Sequence, residues 1–438
     1  MFVGSSGARR SAQNYTVLHN DVVYPLTSPS TVSTSGNLGT FNIVISPAAG
    51  LSSNTAALAA FNRAAQQWAA YISDPITVTI NADLSTIQPG GGTFPVNVIG
   101  STSSVGLSAS YNTIRNQLVT DAAGQPASAN NGIVASLPTA AQFTAFVPSG
   151  RSLNGSVVLS KASAKAAGFT GLDGTFGVSD ANIVFNSAFT FDFDNSDGVS
   201  AGTMDFETVA AHEIGHALGF SSNVDLLDQT TAASVPSFAP TTLDLFRFGR
   251  LSNNPTNASQ FTTLPRNLVP NADVVTDDAY DEYAMSTGVA QGDGRQASHW
   301  KDDALSGTFI GAMDPTLSFS TVQHLTYADA RALDLIGWDM RLWTPGDADH
   351  NMKVEFADLL ALAAHYNLAG KWVDGDFNLD GTINFSDLLL LASNYGTVVS
   401  ANSGGAITLD AASAQLAPEP SSLAMLVAAM LPALRRRR

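Results

Sequence analysis

Two histidines four residues apart, with a glutamate beside the first, are the sharpest chemical signal in this 438-residue chain: His212-Glu213-Ile214-Gly215-His216. Phe206, Val209 and Ala210 before the motif, and Ala217 and Leu218 after it, predict a helix that begins near Asp205. On a helix, a spacing of four brings both imidazoles to one face, a turn apart, where they suit one tetrahedral Zn²⁺. Glu213 then stands beside a zinc-bound water, placed to take its proton and pass it to a leaving amine. The chemistry implied is hydrolysis of a peptide bond. Gly219 follows the second histidine by three residues and can turn left-handed, ending the helix so that the chain bends back to deliver a third ligand. That ligand is no thiolate, because the chain has no cysteine; disulfides, a cysteine nucleophile and a cysteine switch are excluded with it. The choice lies among carboxylates and the seven histidines, at 19, 212, 216, 299, 324, 350 and 365.

The extended pattern H-E-x-x-H-x-x-G-F resembles the metzincin clan of metalloproteases. The short form of that clan would place the third ligand at position 222, which is Ser222, a poor zinc ligand. Asp225, His299 and His324 are the replacements to weigh. A long insertion, then Ser298-His299-Trp300, then Gly311-Ala312-Met313-Asp314-Pro315 in the place of a Met-turn, resembles the leishmanolysin branch. The resemblance covers residues 38 to 343, and the chain also looks like a bacterial metalloprotease group with Leu243-Asp244-Leu245-Phe246-Arg247-Phe248 in the insertion. It implies His212, His216 and His299 as zinc ligands, with Asp225 the alternative third ligand, Glu213 as catalytic base, and Gly219 and Met313 in structural roles. Met313 would pack under the imidazoles without bonding the metal. Pro315, where some metzincins carry tyrosine, speaks against a tyrosine fifth ligand.

A second constellation suits a harder cation. Residues 347 to 358 and 376 to 387 repeat with a period of 29. The second copy places Asp376, Asn378, Asp380, Asn384 and Asp387 at loop positions 1, 3, 5, 9 and 12, with Gly381 at 6 and the carbonyl of Thr382 at 7. This is the oxygen pattern of an EF-hand-like Ca²⁺ loop. The first copy offers Asp347, Asp349, Asn351, Glu355 and Asp358, with Met352 in the place of the glycine. Each loop runs into one apolar helix, at Leu359 to Leu362 and Leu388 to Leu391. A duplicated loop with a single following helix resembles a type I dockerin, which implies a cohesin-like protein partner. A further acidic turn, Asp192 to Gly198, reads either as a calcium site or as a solvated Asx-rich turn.

The elements that must position these residues are also legible. A strand over Phe41 to Ile45 precedes a helix capped by Asn54 and running to about Tyr71; Asp74-Pro75 stops it before a strand over Ile76 to Ile80. A second helix is predicted near Tyr111 to Val119, and one or two strands between Ala181 and Phe193. Residues 226 to 297 carry no strong periodicity and read as a loop-rich subdomain. Thr326 and Asp329 have capping-box spacing, opening a helix that Gly337 closes. The fold class expected is α+β: a metzincin-type zinc protease domain with a twisted mixed sheet and an active-site helix, then a small α-helical, calcium-binding, dockerin-like domain. The organisation read is a polar segment at 1–37, the protease domain at 38–343, the calcium repeats at 344–398, a linker at 399–416 and a tail at 417–438.

That tail joins Pro418-Glu419-Pro420 to twelve mostly apolar residues, Leu423 to Leu434, and then four arginines. Twelve helical residues rise about 18 Å against a hydrocarbon core of roughly 30 Å, too short for a stable span. The pattern resembles a PEP-CTERM sorting signal and implies handling by an exosortase. Residues 1 to 36 contain no apolar run, so an exported protein would need its signal peptide upstream of the given start. A net charge of −17, from 20 Lys+Arg against 37 Asp+Glu, argues against nucleic acid as a partner. With 45% hydrophobic residues the chain is not mostly disordered, and 13% charged residues with 36 Gly suit a secreted bacterial protein. The expectation is therefore an exported zinc endopeptidase of the cell envelope or medium, acting on polypeptides. The alternative is a catalytically inactive envelope scaffold on a degenerate protease fold, against which the intact Glu213 argues.

Overall fold

The computed structural model describes residues 2–5, 23–25, 41–124, 133–250, 253–277, 282–340, 344–349, 353–368, 370, 372–377 and 382–397. The linker at 399–416 and the tail at 417–438 lie outside the described residues, as does most of the polar segment 1–37. So do Asn351, Asn378 and Asp380 of the two acidic loops, together with Met352 and Gly381. The chain divides into two compact units, Met1–Met340 and Arg341–Arg438. The class is mixed α+β.

The elements that build the first unit's core and site are, in chain order, β1 (Phe2–Ser5), β2 (Asn42–Pro47), α1 (Thr55–Tyr71), β3 (Thr77–Ser85), β4 (Val98–Ser104), β5 (Ala181–Asn186), α2 (Phe206–Leu218), α3 (Val224–Gln229), β6 (Arg247–Gly249), β7 (Val274–Asp277), β8 (Glu282–Ala284), β9 (Thr316–Ser318) and α4 (Tyr327–Leu335). Six strands form one mixed sheet in the order β9-β1-β4-β5-β3-β2. The β2, β3 and β5 strands run parallel, with Ile45 opposite Ile80 and Ile80 opposite Ala181. Strand β4 turns antiparallel to β5, setting Gly100 opposite Phe185 and Thr102 opposite Ile183. In β3 the inward residues Val78, Ile80 and Ala82 alternate with more exposed neighbours, the period-2 signature of a strand with one buried face.

Helices α1 and α2 pack against each other, and α2 also lies on β4. Asn54 caps α1 by accepting from the Ala57 amide at 3.0 Å, as its place in the sequence predicts. The buried face of α1 is Ala57, Ala60, Phe61, Ala64, Ala65 and Trp68; the four alanines allow close approach, and Trp68 donates its indole N–H to the Ala211 carbonyl at 2.8 Å. Phe61, Phe185 and Phe206 join α1, β5 and α2 through ring contacts of 5.2 and 4.5 Å. Along α2 every residue except His216 is buried, so this helix is held from all sides.

The insertion after α2 is more regular than its lack of periodicity predicts. It contains α3 and an antiparallel sheet, β6-β7-β8. Strands of three or four residues are too short to show an alternation, which is why sequence pattern misses them.

In the second unit, α5 (Phe356–His365) and α6 (Phe385–Asn394) enclose a core of Val354, Leu359, Leu362, Trp372, Phe377, Ile383 and Leu391. The 29-residue period returns as reciprocal packing. Gly346, at φ +110°, lies where a Cβ would come within 2.8 Å of Leu391, and Gly375, at φ +112°, lies where one would come within 2.7 Å of Leu362. Each repeat thus lends its glycine to the helix of the other. Among the described residues, no helix is long and apolar enough to cross a membrane.

Candidate metal centre

Asp205 starts α2 by accepting from the Thr208 amide at 3.0 Å and the Thr208 hydroxyl at 2.6 Å. Gly219 ends it at φ +118°, where an added Cβ would also stand 3.2 Å from Ser160, Ser163 and Ile336. The following Phe220 donates its amide back to the Gly215 carbonyl at 3.1 Å and offers its own carbonyl to His216 Nδ1 at 2.7 Å. The glycine turn is therefore what orients the second histidine.

Three imidazoles meet at this end of the helix. The Nε2 atoms of His212 and His216 are 3.1 Å apart, and each lies 3.2 Å from His299 Nε2. Corners of a tetrahedron around zinc with ligands at about 2.0 Å are about 3.3 Å apart, so the spacing fits a cation of that size. Each Nδ1 faces a backbone carbonyl: Ala312 for His212 at 2.7 Å, Phe220 for His216 at 2.7 Å and Gln296 for His299 at 3.2 Å. A carbonyl oxygen only accepts, so Nδ1 carries the proton, and in a neutral ring Nε2 then presents its lone pair inward. Burial pushes His212 and His216 well below the ordinary imidazole range, which keeps them neutral, as ligands must be. The three histidines form a group that could hold a metal ion.

Met313 packs against Gly215. Its sulfur lies so close to Gly215 that a Cβ there would come within 2.3 Å, so glycine is needed between the two histidines for the Met313 side chain to fit under the helix. The turn carrying Met313 is fastened by Asp329, fully buried, which accepts from the amides of Ala312 at 2.8 Å, Met313 at 3.1 Å and Thr326 at 2.8 Å and from the Trp300 indole at 2.8 Å. Asp329 is visible in sequence as the far member of a capping box, yet its bonds to Trp300 and to the turn carrying Met313 have no local signature.

Glu213 is fully buried, and its Oε2 accepts from the Thr102 hydroxyl at 2.7 Å. The same hydroxyl lies 2.9 Å from the Glu213 backbone carbonyl. Opposite, Gly100 leaves the space that the carboxylate fills, since a Cβ there would meet Glu213 Oε1 at 2.6 Å. Spacing arguments cannot find the contacts of Thr102 and Gly100 with Glu213, because β4 precedes the motif by more than a hundred residues. A cavity of about 340 Å³ opens beside His216, lined among others by Thr102, Ser160, Asn223, Gln229 and Ser298.

Ser222, Asp225 and His324 stand outside the histidine group. Asp225 is buried, which raises its pKa to about 6, and it bonds to the segment before His299. Asp302, Asp303 and Asp314 form a second group of carboxylates near enough to share a cation, though Asp302 and Asp314 are bonded to local amides and to the Thr316 hydroxyl. The acidic turn at 192–198 is an Asx-type turn in which Asp192 accepts from the amides of Asp194 at 3.0 Å and Ser200 at 2.8 Å; it is not among the groups that could hold a metal.

In the second unit Asp347, Asp349 and Asp358 form a third such group. Asp358 closes the first loop by accepting from the amides of Ala348 at 2.7 Å and Glu355 at 2.7 Å. Asp387 does the same one period later, from Phe377 at 2.9 Å and Asn384 at 2.9 Å. Asp376 is buried, and Thr382 and Asn384 follow in the described part of the second loop.

Searches of family models, of curated proteins and of solved structures find no match to this chain.

Proposed function

We propose that this chain is a zinc-dependent endopeptidase of leishmanolysin-like metzincin type, carrying a dockerin-like calcium module and a PEP-CTERM-like tail. The observation that carries the reading is the convergence of three imidazoles, each with Nδ1 tied to a carbonyl and Nε2 turned to a common point. An N₃ donor set with a carboxylate next in sequence to one of the ligands is the donor chemistry that zinc hydrolases use. Zinc held by His212, His216 and His299 would supply Lewis acidity toward the scissile carbonyl and the attacking water.

The protein's own part falls to Glu213. Its carboxylate takes a proton from the attacking water and returns it to the leaving nitrogen, while the Thr102 hydroxyl holds Oε2 and limits its rotation. The cavity beside His216 receives a side chain of the polypeptide substrate. In the second unit, the duplicated loops bind Ca²⁺ and the helices after them present a surface to a cohesin-like partner. Export, sorting by an exosortase and residence in the envelope or medium are proposed from the Pro-Glu-Pro tail alone.

The test is Glu213→Gln. It should keep its zinc and lose peptidase activity roughly 10²- to 10⁴-fold, because the ligands remain while the base is gone. Activity within a few fold of the parent would contradict the mechanism.

A further inference from the structure

Position 222, where the short metzincin pattern expects a ligand, is joined to the loop that supplies His299. The Ser222 amide donates to Ser298 Oγ at 2.9 Å, and Ser222 Oγ donates to Asp244 at 2.6 Å. Three residues on, Asp225 Oδ1 accepts from the Ala297 amide at 2.6 Å, and Oδ2 accepts from the Ser298 amide at 3.1 Å and the Ser298 hydroxyl at 2.5 Å. Arg247 holds the same segment from another side, donating to the Ala297 carbonyl at 3.2 Å and the Ser286 carbonyl at 2.7 Å.

The amide that Asp225 binds matters for the metal centre. Ala297 N–H and Gln296 C=O belong to one peptide group, and Gln296 C=O is the acceptor for His299 Nδ1. Asp225, that peptide and His299 are therefore connected in series. A carboxylate on the N–H side polarises the peptide and strengthens its carbonyl as an acceptor. The same series occurs at His212: Asp329 accepts from Met313 N–H, and the carbonyl of that peptide group, Ala312 C=O, accepts from His212 Nδ1. The His299 contact is the longest of the three carbonyl contacts, at 3.2 Å, so this ring gains most from a fixed and polarised carbonyl.

We propose that Asp225 is a positioning residue for the metal centre, acting through the Gln296–Ala297 peptide to fix the ring and tautomer of His299. It is not itself a ligand. This rests on the three-histidine reading, and the test separates the two.

Zinc affinity is measured by chelator competition on the full chain for Asp225→Asn, His299→Ala and the double variant, with thermal unfolding as a control for fold. Asp225→Asn should weaken zinc binding about 10- to 100-fold, the range for partners that orient a ligand. In the His299→Ala background it should have no further effect. Unchanged affinity, or a loss that adds in full to that of His299→Ala, would overturn the proposal. Ser298→Ala, which leaves both backbone amides on Asp225, covers the case in which the Asn variant does not fold. It should hold zinc within about threefold of the parent, and a loss as large as that of His299→Ala would contradict a relay through the peptide. Hydrogen exchange on the metal-free chain decides the clamp independently of zinc: the Ala297 and Ser298 amides should be protected in the parent and released in Asp225→Asn. Failure of the parent to bind zinc would remove the three-histidine reading, while rapid exchange at both amides in the parent would remove the Asp225 clamp.

Discussion

The candidate metal sites of the two units are built in opposite ways. In the second unit the described carboxylates of the first loop, Asp347, Asp349 and Asp358, come from one short stretch, and the loop is closed by its own twelfth residue. In the first unit two ligands share one helix, but the third arrives 83 residues after His216 and depends on a turn held from yet another helix. A local site stands or falls with its own residues. A site assembled over distance is exposed to any change that frees one of its supports.

The largest effect that would expose this difference is expected at Asp329. Replacing it by alanine strands several buried donors at once, each at roughly 1 to 3 kcal/mol. The first unit should lose several kcal/mol of stability, while the calcium response of the second is unchanged. Calorimetry with and without Ca²⁺ reads both. Loss of the calcium response together with the first transition would break the comparison.

Much of this arrangement is legible from residue types and spacing, and the exceptions share a cause. The limits of α2 follow from Asp205 as cap and Gly219 as stop, because both act within one turn of the helix they bound. The Asn54 cap and the Thr326–Asp329 box are local in the same sense. His299 falls beside the other histidines, although nothing nearby in sequence compels it. What spacing cannot reveal is a partner from another element. Thr102 reaches Glu213 across 111 residues, and Asp225 reaches Ala297 across 72. The packing of Gly100 against the Glu213 carboxylate is hidden for the same reason, since a missing side chain leaves no pattern.

A middle-sized effect separates the calcium loops from each other. Asp376→Ala should weaken Ca²⁺ binding by roughly tenfold more than Asp347→Ala, as expected from a sequence with glycine at loop position 6 of the second copy and methionine at that position of the first. Zinc content and peptidase activity should stay at parental values in both. Titration calorimetry on the full chain measures this; a greater loss at the first loop, or a loss of zinc in either variant, would contradict the local character of these sites.

The smallest effect concerns Asp302, Asp303 and Asp314, the one all-carboxylate group that could hold a cation among the described residues of the first unit. Burial raises Asp314 to about 7, from 3.8 for an ordinary Asp. Between these values the folded protein holds a proton that the unfolded chain has released, so this group favours folding at low pH and its contribution is lost as pH rises toward 7. Asp314→Asn is neutral throughout and should flatten the fall in Tm between pH 5 and 8 by a few degrees. An equal slope in parent and variant would mean that Asp314 is already ionised when folded.

The central claim is that three histidines distant in sequence hold one zinc ion. Anomalous diffraction at the zinc edge from crystals of the full chain tests it most directly. The account predicts a single strong peak between the Nε2 atoms of His212, His216 and His299. No peak there, or a peak beside Asp302, Asp303 and Asp314 in its place, would contradict it.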